Sequence, residues 1–80
     1  MNNKTWERVQ AICDTLKRKR DCQDATATFD STGIRFVIQC ADRFYFVQWN
    51  AGDASKFAPK TMAGFVWDMV EYERGKDESA

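Results

Sequence analysis

Near the amino terminus, Trp6, Val9, Ile12, Cys13 and Leu16 recur at three- and four-residue spacing. At about 100° per residue they fall within an arc of ~120°, so the pattern predicts an amphipathic helix over residues 3–20. Asn3 suits the cap position. The run Lys17-Arg18-Lys19-Arg20 closes the helix, where cations meet the negative end of its dipole. After the polar break 21–24 the period changes to two. Ala25, Ala27 and Phe29 alternate with Thr26, Thr28 and Asp30, which predicts a strand over 25–30. Asp30-Ser31-Thr32-Gly33 has the residues of a tight turn. Ile34, Phe36, Ile38 and Cys40 continue the alternation in a strand over 34–40, and Ala41-Asp42 is the shortest turn into a third strand over 43–50. The stretch 50–55 has loop composition, and Pro59 suits the first turn of a helix over 59–74. Its inner stripe is expected to be Met62, Phe65, Val66, Met69 and Tyr72, with Phe57 stapled onto Met62, Gly75 ending the helix and 76–80 a frayed tail.

The two hairpin turns set a register. Phe29 falls opposite Ile34, Ala27 opposite Phe36, Ile38 opposite Tyr45, Phe36 opposite Val47 and Ile34 opposite Trp49. All these side chains share one face, and a one-residue slip would destroy that agreement. The expected fold is therefore α+β in the order α-β-β-β-α, a single domain over 1–80. Its three-stranded antiparallel sheet carries both helices on one face.

The other face then holds Thr26, Thr28, Arg35, Val37, Gln39, Phe44, Phe46 and Gln48. A sheet covered on one side ordinarily shows polar residues on the other. Val37, Phe44 and Phe46 break that pattern and form a candidate protein-binding patch, with Arg35, Gln39 and Gln48 as its polar rim. The ordinary alternative is scattered apolar surface on residues that suit strands. Ala63, Val66, Trp67 and Val70 widen the apolar arc of the second helix to ~220°. Trp67 is thus either packed against the first helix or an anchor for a partner.

The 80 residues carry 12 basic and 12 acidic side chains and no histidine, for a net charge of zero. A general nucleic-acid coat needs a basic surplus. The charge is uneven, with six basic and two acidic groups in residues 1–20 and two basic and five acidic in 61–80. The Lys17, Arg18, Lys19 and Arg20 cluster is either a solvated helix end or a contact for an acidic partner. No export signal or membrane-spanning stretch is recognisable, and Cys13, Cys22 and Cys40 make an odd count, so the expectation is a cytoplasmic protein with free thiols. Cys13 and Cys40 read as core residues and Cys22 as a loop residue. Metal and cofactor sites are not expected, since the cysteines are far apart in sequence and histidine is missing. Absent histidine also removes the commonest general base, and the four glycines build no phosphate loop, so an enzyme is not expected.

The helix, three strands, helix order resembles the double-stranded RNA-binding domain. That family carries a lysine cluster at the start of its second helix, where this chain has Ala58-Pro59-Lys60-Thr61, with Asp68, Glu71 and Glu73 further along. RNA binding is therefore the lesser expectation. In size, layout and lack of catalytic motifs the chain also resembles the small inhibitor proteins of phages and mobile elements, the anti-CRISPR proteins among them. That resemblance implies steric occupation of a surface on a protein or nucleoprotein complex of host defence. A structural homodimer, sheet face to sheet face, is the third reading.

Overall fold

The computed structural model describes residues 3–31, 33–50, 52 and 56–78. Thr32 of the first turn, most of the stretch 50–55 expected to be a loop and residues 79–80 of the expected tail lie outside them, as does the side chain of Asn3; Gly52, described within that stretch, is helical. The order is α1 (Asn3–Lys17), β1 (Cys22–Asp30), β2 (Gly33–Cys40), β3 (Phe44–Trp49) and α2 (Pro59–Glu78). The strands form one antiparallel sheet in the order β1-β2-β3, with β2 in the middle. Every cross-strand pair read from the sequence is present, from Phe29 opposite Ile34 to Ile34 opposite Trp49.

Both helices lie on the same face of this sheet, α1 on β1 and α2 on β3, and they pack against each other. The core between the layers joins Val9, Ile12, Cys13 and Leu16 of α1 to Ile34, Phe36, Ile38 and Tyr45 of the sheet and Met62, Ala63, Val66 and Val70 of α2. Polar and charged residues are absent from the buried set among the described residues. The fold therefore rests on apolar burial, without an internal ion pair to desolvate.

Several boundaries differ from the sequence expectation. α1 stops at Lys17 because its last amides tighten onto the third residue back: Arg18 N donates to Thr15 O at 3.2 Å and Lys19 N to Leu16 O at 3.0 Å. The four cations are thus divided between the helix end and a turn. β1 begins at Cys22 instead of Ala25, since a bulge between Cys22 and Asp24 inserts an extra residue and breaks the alternation there. Cys22 is accordingly a strand residue opposite Cys40 and not part of a loop. The Ala41-Asp42 reversal closes as expected, with Cys40 N donating to Arg43 O at 3.0 Å. β3 then runs only from Phe44 to Trp49.

α2 is rotated from its expected setting. Its buried residues are Met62, Ala63, Val66 and Val70, whereas Phe65, Met69 and Tyr72 are 36%, 47% and 66% exposed. An apolar arc of ~220° leaves its own centre undetermined. The helix settles with small Ala63 inside and the larger side chains of one flank outside. Phe57 meets Phe65 edge-on at 5.3 Å between ring centroids. Trp6, expected inside, is also exposed and lies tilted over Phe29.

Gly75 does not end α2, which runs on to Glu78. A methyl group at Gly75 would meet nothing within 4 Å. Gly75→Ala is therefore expected to raise stability by about 0.5–1 kcal/mol through helix propensity, measured as a higher denaturant midpoint at unchanged slope. A lower midpoint would mean that the last turns are not helical in solution.

The three cysteines are free. Burial pushes the Cys13 thiol up to about 11, and burial also raises Cys22 and Cys40. Only the thiolate reacts quickly. In the native protein near neutral pH, alkylation is expected first at the partly exposed Cys22 and last at Cys13, with all three modified after denaturation. A folded value above the unfolded 9.0 also means that the contribution of Cys13 is intact below pH 9.0 and is lost as the pH rises towards about 11. Fast native labelling of Cys13 would contradict its placement in the core.

Candidate protein interface

The pleat sends Arg35, Val37 and Gln39 of β2 to the face opposite the helices. Phe44, Phe46 and Gln48 of β3 stand directly beside them, paired as Gln39 with Phe44, Val37 with Phe46 and Arg35 with Gln48. On the far side of β2, Thr26 pairs with Val37 and Thr28 with Arg35. Every residue expected on this face is there. Phe44 and Phe46 are 55% and 66% exposed, while Val37 is half-covered between its neighbours.

Polar groups frame the patch. Gln39 Nε2 donates to Gln23 Oε1 at 3.2 Å, and Gln48 Nε2 reaches Asp30 Oδ1 at 3.5 Å. Asp30 Oδ1 also accepts the Gly33 amide at 3.0 Å, which ties the first turn to the same edge of the patch. Arg35 is exposed between Thr28 and Gln48. The arrangement is an apolar centre of two phenylalanines and a valine with hydrogen-bonding amides around it.

Trp67 is not on this surface. It is half-buried and packed on the core, with the Arg74 guanidinium 5.9 Å from its ring centroid. Arg74 also lies 5.6 Å from the ring of Tyr45 and reaches Asp21 at 3.1 Å and Asp42 at 3.6 Å. It thereby joins the turn after α1 to the turn before β3. Tyr45 donates its hydroxyl to Asp42 Oδ2 at 2.5 Å, which holds that carboxyl below the ordinary range. Trp67 and Arg74 thus close one end of the core.

Lys17, Arg18 and Arg20 are exposed and Lys19 is half-covered. Lys17 Nζ stands 3.9 Å from Asp24 Oδ1 on the surface. The cluster thus spans the end of α1 and the turn that follows it.

A feature absent from the sequence reading lies beside the patch. β3 is an edge strand, and a groove of about 260 Å³ runs between it and α2. The β3 edge at Phe44, Phe46 and Val47 forms one wall and Met69 of α2 the other, with Arg43, Glu73 and the buried Val70 also among the lining residues. The exposed Phe65 continues the α2 flank and reaches Trp49 at 6.1 Å between ring centroids. The excess width of the apolar arc on α2 was the one sequence signal for this groove.

Among the described residues, no group of three or more cysteine and carboxylate side chains could hold a metal ion, and no helix is long and apolar enough to cross a membrane. Family models, curated proteins and solved structures contain no match to the chain.

Proposed function

We propose that the protein is a binding module that acts by occupying the surface of a protein partner, with the open sheet face as its contact. The observation that carries this reading is the pair of neighbouring, more than half-exposed phenylalanines on a face that no helix covers. Aromatic side chains at the centre of a polar rim are the usual anchors of protein interfaces. Small size, a sheet-and-helix layout and the lack of catalytic motifs support an inhibitor of the kind made by phages and mobile elements, directed at a host defence complex in the cytoplasm. Steric occupation needs neither cofactor nor reaction. Duplex RNA is the weaker partner, because α2 presents exposed Asp68, Glu71 and Glu73 and has Lys60 alone at its start.

The test is affinity capture from bacterial lysate, run with and without nuclease. Recovery of a defined protein partner that survives nuclease is expected. Recovery of RNA alone, lost on nuclease treatment, would replace this reading with an RNA-binding one.

A further inference from the structure

We infer that the groove between β3 and α2 takes an extended, mainly apolar segment of the partner, which adds to the sheet as a fourth strand. The inference rests on the protein-binding reading above and names the chemistry of what is bound. Its first support is the backbone. The Cys40–Arg43 pair is hydrogen-bonded, and the pairs of an antiparallel ladder alternate between bonded and non-bonded. Phe44 and Phe46, opposite Gln39 and Val37, are therefore at non-bonded pairs. Their N–H and C=O groups point away from β2, to the open edge of the sheet. An incoming strand would meet donors and acceptors at a two-residue spacing, which is the requirement for strand addition.

The second support is the groove itself. Met69 of α2 stands across from the β3 edge, so the side chains of an added strand that face α2 meet an apolar wall while the alternate ones lie beside the phenylalanines on the open face. Charge complementarity sets the composition of the occupant. Arg43 and Glu73 are the charged lining residues, one of each sign. β3 and α2 run antiparallel, with Trp49 by Phe65, so both charges lie at the same end. The rest of the slot is uncharged, and a charge placed there would be desolvated without a partner. A segment of roughly five residues spans the edge.

A second copy of this chain fits less well. Pairing β3 with its symmetry mate would bring the strands to about 4.8 Å, and each carries its own α2 on the same face. Helices pack at about 8–10 Å, so the two copies of α2 would compete for the space over the joined strands. A strand without a helix meets no such obstacle.

A displayed library of random heptapeptides, selected on the immobilised protein, supplies the probe. Selected peptides are expected to be apolar at alternate positions and free of proline at their centre. Met69→Glu, on an exposed side chain, is expected to weaken them at least tenfold, and Thr26→Glu, on the open face but outside the patch, less than twofold. Phe44→Pro removes an outward amide at the first residue of β3, where proline is tolerated, and should also weaken them. Bound peptide should slow amide exchange at Phe44 and Phe46 at least tenfold. Peptides sensitive to Thr26→Glu but not Met69→Glu would place the occupant on the face, overturning the groove while leaving the binding reading intact. Selection of no peptide would overturn it too. So would a wild-type dimer on a sizing column that Met69→Glu splits, because a second copy would then fill the edge.

Discussion

Replacing Phe36 with alanine is expected to lower the unfolding free energy by about 3–5 kcal/mol. Phe36 lies at the middle of the central strand, between Ala27 and Val47, and is 0% exposed. It faces both helices, so truncation leaves a void that neighbours on three elements cannot all move to fill. A domain of this size has about 5–10 kcal/mol in all, and the variant should be partly unfolded at physiological temperature. Urea titration followed by circular dichroism measures the loss. A midpoint equal to the wild type would mean that the sheet presents its other face to the helices, with Phe46 inside.

Gly33→Ala is expected to be nearly as damaging, by about 3 kcal/mol, for a different reason. Gly33 has φ of 137°, a backbone conformation that side-chain-bearing residues avoid. A methyl group there would also run into the carbonyl oxygen of Trp49 on β3. That obstacle is backbone and cannot rotate away. Either the first turn changes type or β3 is displaced from β2, so the loss should appear in the same titration. A near-neutral result would show that the turn re-forms without the positive φ.

The sheet was legible because three constraints agreed. Period-two alternation located the strands, two short turns fixed their register, and the register put Ile34, Phe36, Ile38, Tyr45 and Val47 on one face together. The open face, with Arg35, Val37, Phe44 and Phe46, followed from the same parity and needed no further information. α2 was less legible because it is apolar around more than half its circumference. With Met62, Phe65, Val66, Trp67, Met69 and Val70 all available, only packing against α1 and β3 decides which are buried. The bulge after Cys22 was hidden for a related reason: one extra residue erases the alternation that would reveal the strand. The groove depends on both the rotation of α2 and the position of β3 at the sheet edge, so it emerges only in three dimensions.

The most direct test of the binding-module account is the Phe44→Ser, Phe46→Ser double variant. Both side chains point to solvent, so its circular dichroism spectrum should match the wild type. Anchors of this kind each contribute ~2 kcal/mol or more, a loss of about thirtyfold in affinity per residue. The account predicts that the wild type runs as a monomer on a sizing column and captures its protein partner, and that the folded variant captures none. A folded variant that retains the partner, or a wild-type dimer that the variant turns into a monomer, would contradict it.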